Sequence, residues 1–296
     1  MSEMVTMSDV VQGFWRLAEW KYSNKEVNRM LHELIDRGIT AMDHADIYGN
    51  YQCETLFGDA LSITPGIRKE MHIITKCGIV LPSEKMGFDY HKYDYSKDHI
   101  MNSVDRSLKE LQVDDIDTLL LHRPSPLMDP HEVAATLKTL QQQGKVRQFG
   151  VSNFKVHQYL PLKEAMQDQK LSITVNQLEI SAAELENLED GTINWMHKDH
   201  VSIMAWSPLG GGKLFDQQHI ATQQVVQQLE EIAQKHQTTS DVIAYAWLYH
   251  MPYAIKPIVG SRSIERSDVA LKAKDIQLTD NEWFEIYKQK LGRDIL

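Results

Sequence analysis

Cysteine is nearly absent: the chain has two, Cys53 and Cys77, in 296 residues. Two thiols cannot build a disulfide scaffold or a four-cysteine zinc site, and they read as reduced thiols of a cytoplasmic protein. No stretch of about 18 apolar residues occurs, so no transmembrane helix is expected. The opening residues, Met1 to Val11, carry Glu3 and Asp9 and lack an apolar core, which argues against a signal peptide. Basic charge is in deficit: 31 Lys and Arg stand against 41 Asp and Glu, a formal charge of −10. Nucleic-acid and membrane-surface binders need a basic face, so neither partner is expected, although one local basic pocket for a phosphate is compatible. No Gly-x-Gly-x-x-Gly follows the first strand, which weakens a doubly wound dinucleotide fold. No Pro/Gly/Ser-rich linker divides the chain, and no sustained heptad gives an oligomeric state.

What is present is an alternation. Short apolar runs occur at Ile39 to Met42, Met71 to Thr75, Thr118 to Leu121, Gln148 to Val151, Ile173 to Asn176, Val201 to Ala205 and Ile255 to Val259, with a weaker one at Val10 to Gln12. Each has the length of a buried parallel strand. Between them lie helical patterns: Asn24 as an N-cap before Val27, Met30, Leu31, Leu34 and Ile35, and further helices opening at Ser96 and at Asp129-Pro130. About eight strand–helix repeats predict an α/β chain, a (β/α)8 barrel forming one domain over residues 1–296. Two irregular insertions, Gly78 to Tyr95 and Leu209 to Gln223, fall at the C-terminal ends of strands, where active-site loops sit.

A barrel places its chemistry just past its strands. Asp43 and Tyr48 follow the second run, Lys76 the third, and His122 the fourth. Together they suit carbonyl reduction. An ammonium beside a phenol lowers the phenol pKa, and a carboxylate anchors the ammonium. A neutral histidine can clamp the carbonyl oxygen. Tyr48 is then the general acid, Lys76 its tuner, Asp43 the anchor and His122 the clamp.

These motifs resemble the aldo-keto reductase family over almost the whole chain. Gly38 to Gly49 matches its G-x-x-x-x-D-x-A-x-x-Y-G signature, and Asp117 to Pro124 its D-x-x-x-x-H-x-P element. Gly144 to Phe154, Asn176 to Glu179 and Ala205 to Gly212 match three further elements. The D-H-A-D-I-Y-G and H-R-P forms are those of a bacterial subgroup. The resemblance implies an NADP(H) cofactor, no metal, and a small-molecule carbonyl substrate. It implies that Ser152, Asn153 and Gln177 hold the nicotinamide amide and that Trp206 stacks on its ring. Ser207, Leu209 and Gly211 would meet the pyrophosphate, and Gly13, Phe14 and Trp15 the nicotinamide ribose. Gly260 stands where many members have lysine, and Val269 and Ala270 where many have an acid and an asparagine. Ser261, Arg262 and Arg266 can still bind a 2′-phosphate, guanidinium forks suiting phosphate oxygens. Trp15 and Arg123 are candidates for the substrate pocket, with Trp20, Tyr51 and Trp206 beside them.

Other readings compete. The same barrel can serve as a slow NADP(H) sensor or regulatory subunit. His44, Asp46 and His122 invite a metal-hydrolase reading, against which His44, adjoining Asp43, reads as a residue behind the site. Gly210 to Gly212 is either a phosphate cradle or a plain turn, and 78–95 either a substrate lid or a solvated loop.

Overall fold

The computed structural model describes residues 4–216 and 222–294. Ten strands occur among them: β1 Val11–Gly13, β2 Ala41–Asp43, β3 His72–Cys77, β4 Ile79–Val80, β5 Lys92–Tyr93, β6 Ile116–Leu121, β7 Val146–Ser152, β8 Ile173–Glu179, β9 Ser202–Trp206 and β10 Ile255–Val259. Eight of them close a barrel in the order β1-β10-β9-β8-β7-β6-β3-β2, while β4 and β5 form a separate antiparallel pair. Helices alternate with the barrel strands, as right-handed crossovers between parallel strands require. This is the expected (β/α)8 barrel. The β4–β5 pair is a hairpin inside the 78–95 insertion.

The chain groups into two compact units. The first holds residues 1–176 and 260–264. In it β1, β2, β3, β6 and β7 pair in parallel register, with Asp43 opposite Ile74 and Lys76 opposite Leu120. Its core includes Leu31, Leu34, Ile73, Phe149 and Phe154. The strand starts are tied by charge: Arg68 bridges Asp115 and Asp117, and Arg147 bridges Asp115. Asp117 also accepts the Ile73 amide at 2.8 Å.

The second unit holds residues 177–259 and 265–296. The helix Ser240–His250 is apolar almost all round and buried from Val242 to Leu248. Its Trp247 stacks on Trp283 of the helix Asp280–Leu291, ring centroids 5.0 Å apart and planes 4° from parallel. Each indole N–H donates to the other residue's carbonyl, at 3.2 and 3.1 Å.

One expectation needs correction. The helix expected to be capped by Asn24 is capped by Ser23, which forms a capping box with Glu26 and leaves Asn24 as the first helical residue. Of the 209–223 insertion, Gly210–Phe215 is a short turn of 3-10 helix, and residues 217–221 lie outside the described residues.

Candidate active site

Side chains alternate along a strand, and residues paired across parallel strands share a face. Asp43 pairs with Ile74 and Lys76 with Leu120. Stepping by two, Asp43, Ile74 and Lys76 fall on one face, with Leu120 and His122 in the same phase. The structure therefore brings together the residues the sequence nominates. The Lys76 ammonium, 0% exposed, donates to Asp43 Oδ1 at 2.8 Å, Asp43 Oδ2 at 2.9 Å, the His44 carbonyl at 2.7 Å and Tyr48 Oη at 2.9 Å. The Tyr48 ring stands edge-on to His122, centroids 5.9 Å apart. Tyr48 is followed by three left-handed residues, Gly49, Asn50 and Tyr51, with φ 59°, 52° and 62°.

The electrostatics differ from expectation at Tyr48. Burial raises its phenol pKa, and the pull of Lys76 toward phenolate does not overcome that push, which Asp43 reinforces. Lys76 thus restrains a rise rather than producing a fall, and Tyr48 keeps its proton at neutral pH. Burial also acts against the Lys76 ammonium, but Asp43 and Tyr48 outweigh it and hold the pKa above the ordinary value. His122 is held far below its ordinary pKa by burial, with Lys76 and Arg123 adding repulsion. It is a neutral imidazole, and its buried Nδ1 has no hydrogen-bond partner among the described residues.

Behind these groups lies a buried polar layer, in which sequence reasoning named His44 and Asp46 but missed Glu54. Glu54 is buried and accepts from Thr75 at 2.5 Å and Ser107 at 2.9 Å. Burial pushes its pKa up to about 8. Asp46 pairs with Arg106 at 2.8 Å, yet burial still raises it to about 7. His44 is sandwiched between Phe14, stacked at 4.8 Å, and Phe57, edge-on at 4.3 Å. Burial lowers its pKa to about 3. His44 and Asp46 are therefore spoken for as packing and as an ion pair, and among the described residues no three His, Cys, Asp or Glu side chains group as metal ligands do. The sequence signal for Glu54 is its place in the largely apolar helix Cys53–Leu61. Burial raises the thiol pKa of both Cys53 and Cys77, so adjacency to Lys76 does not activate Cys77.

The remaining nominated residues fall as follows. In the first unit Gly13 ends β1, and Phe14 is wholly buried against His44, its amide donating to the Asp43 carbonyl at 2.9 Å. Trp15 is 58% exposed, with the Arg16 guanidinium over its ring. Ser152 ends β7, and Asn153, at φ 63°, donates to Ser152 Oγ. Ser261 accepts the Ser263 amide, and Arg262 is exposed. Arg123 is half-buried, whereas Trp20 and Tyr51 are buried and do not line an open pocket. In the second unit Gln177 is buried in β8, Trp206 ends β9, and Ser207 and Gly211 have positive φ on either side of half-buried Leu209. Arg266 is exposed. A cleft lined in part by Arg68, Asp115, Asp117 and Arg147 lies at the starts of β3, β6 and β7, the opposite strand ends, and these four charges pair with one another.

Comparison with known proteins gives the family. The model of the Aldo/keto reductase family matches residues 9–289. The chain is 46% identical over 297 residues to "Uncharacterized oxidoreductase YcsN" of Bacillus subtilis (strain 168), covering 100% of this chain and 98% of that one. It is 41% identical over 289 residues to "Oxidoreductase YdhF" of Escherichia coli (strain K12), covering 97% and 95%. It is 35% identical over 297 residues to a "6-dehydroglucose reductase" of Agrobacterium fabrum, covering 100% and 98%. A barrel with a lysine–carboxylate–phenol cluster at its strand ends, matched by that family model over nearly its whole length, belongs to the aldo/keto reductase family and is an oxidoreductase.

Proposed function

We propose that the protein reduces an aldehyde or ketone to an alcohol with NADPH, and that Tyr48 is the general acid. One observation carries this reading. Lys76 donates to Tyr48 Oη, so the phenol's own hydrogen must point elsewhere, and it has no acceptor among the described residues. A buried phenol that keeps its proton, with a neighbouring cation to stabilise the phenolate left behind, is a poised donor. His122 supports the same reading. Its Nδ1 lacks an acceptor, so the favoured neutral tautomer carries the hydrogen on Nε2 and donates from there to a carbonyl oxygen.

The residues fit a nicotinamide dinucleotide. Ser207, Gly210, Gly211 and Gly212 all have positive φ, from 49° to 97°. The turn they make is tight: the Gly210 and Gly212 amides donate to the Ser207 and Leu209 carbonyls, at 2.8 and 3.2 Å. A side chain at Gly212 would meet nothing within 4 Å, so the backbone is open to approach. The exposed guanidinium groups of Arg262 and Arg266 suit a 2′-phosphate. Ser152, Asn153, Gln177 and Trp206 would hold the nicotinamide, with Leu209 beside the pyrophosphate and Gly13, Phe14, Trp15 and Ser261 along the sugars. When bound, reduced nicotinamide supplies the hydride. The protein's groups orient the carbonyl, hold the proton at Tyr48 Oη and keep Lys76 charged. Arg123 and Trp15 are the proposed substrate contacts, and 6-dehydroglucose, named for one relative, is the first carbonyl to try.

The same proposal places the protein in the cytoplasm, consistent with two buried free thiols. It treats residues 1–296 as one domain, because the boundary between the compact units falls inside β8.

The test is NADPH oxidation with 6-dehydroglucose, a quinone and nitrobenzaldehyde, wild type beside Tyr48→Phe. Turnover is expected to fall at least about 100-fold in the variant, with NADPH affinity unchanged. Retained turnover would overturn the acid role. Tight NADPH binding without turnover on any carbonyl would favour a sensor.

A further inference from the structure

We propose that Tyr95 is a positioning residue for His122, acting through the backbone of Arg123; the inference rests on His122 being the carbonyl clamp. With Nδ1 unpartnered, the His122 ring is aimed by packing and by the chain that carries it. That chain has just left β6. Its restraints are few. The His122 amide donates to the Cys77 carbonyl at 3.0 Å, and Asn153 Nδ2 reaches the His122 carbonyl only at 3.5 Å. The next peptide groups are held by Tyr95. Tyr95 Oη accepts the Arg123 amide at 3.0 Å and donates back to the Arg123 carbonyl. One hydroxyl thus satisfies both backbone groups of the residue after His122.

Tyr95 is itself immobilised. Its ring lies on Gly78, where a Cβ would sit 2.1 Å from Tyr95 Cε1 and where φ is +107°, so only glycine leaves room. The Asp94 amide donates to the Gly78 carbonyl at 2.9 Å. At the other side of the hairpin, Tyr51 Oη accepts the Leu81 amide at 2.8 Å. Tyr51 lies three residues past Tyr48. The insertion is therefore fastened by two tyrosine hydroxyls, one beside the turn that carries the acid and one beside the turn that carries the clamp. Burial holds the Tyr95 phenol well above its ordinary pKa, so the donor is intact at any working pH.

Tyr95→Phe keeps the ring over Gly78 and removes the hydroxyl alone. Histidine-labelled protein, with His122 assigned through His122→Ala among the 13 histidines, gives carbon–proton spectra of each ring. The His122 signal is expected to move in Tyr95→Phe while rings remote from it stay. Turnover is expected to fall roughly 10- to 100-fold through kcat, since misplacing a reacting group by about 1 Å costs about that much, with the NADPH Kd unchanged. In a His122→Ala background the same substitution should cost less than about twofold, because two residues on one path do not add. An unmoved ring signal, or an equal loss in both backgrounds, overturns the proposal. A wild type that reduces no carbonyl refutes the reading of the site instead, and the ring signal still decides whether Tyr95 positions His122. Should Tyr95→Phe not fold, 3-fluorotyrosine at position 95, which keeps the hydroxyl and alters its donor strength, is judged by the same signal.

Discussion

A fully buried ammonium is tolerable only when its charge and its three hydrogens are all answered, and Lys76 is answered by Asp43, His44 and Tyr48. Removing one partner leaves the other uncompensated. Lys76→Met strands the Asp43 carboxylate and should cost about 3–5 kcal/mol, read by urea unfolding, along with turnover. A second prediction concerns pH. Glu54 moves from 4.5 in the unfolded chain to about 8 in the fold, so the native state binds an extra proton and stability falls as pH rises through that interval. Asp46, raised to about 7, acts in the same sense. His44 has the opposite sign. It is neutral in the fold down to about 3 against 6.5 unfolded, so stability falls as pH drops below 6.5. Urea midpoints should show Glu54→Gln gaining on wild type at pH 8 relative to pH 5, and His44→Phe gaining at pH 5 relative to pH 8. Equal effects at both pH values would show these groups titrating normally. The cluster of Asp43, Tyr48, Lys76 and His122 was legible because strand ends select residues by phase. Tyr95 was visible only as a loop aromatic, because its partner is a backbone 28 residues away and backbone groups carry no sequence signature.

At the scale of elements, the helix Pro130–Gln142 opens on Asp129, whose carboxylate accepts the amides of His131 at 2.8 Å and Glu132 at 3.3 Å. Asp129→Ala should lower stability by about 0.5–2 kcal/mol and leave kcat unchanged; a change in kcat would connect this helix to the site. Its Asp-Pro start was plain in the sequence. Ser23 was passed over for Asn24 because both are good caps and only the reciprocal bond to Glu26 separates them. Strands were found by their apolar centres but not by their polar starts. β6 includes Asp117 and β7 includes Arg147 because the two form part of an ion-paired lattice, which periodicity reads as loop. The β4–β5 hairpin left no pattern, since each strand has two residues and both Lys92 and Tyr93 are exposed.

The whole molecule carries a charge of −10, an unwelcoming field for a cofactor that bears an extra phosphate. Affinity for that phosphate must then come from local cations. Changing Arg262 and Arg266 together to Ala should raise the Kd for NADPH far more than that for NADH in a fluorescence titration, and the difference should shrink with added salt. Equal losses would place the phosphate elsewhere. The barrel was readable from the count of repeats, and its charge from composition, whereas the stacking of Trp247 on Trp283 joins helices that no motif links. That stack has an optical consequence. Two indoles 5.0 Å apart and nearly parallel share their excitations, and coupled chromophores in a chiral frame give a paired positive and negative band in circular dichroism. The C-terminal helix thus carries its own unlabelled reporter, extinguished when that helix peels away and untouched by chemistry at Tyr48.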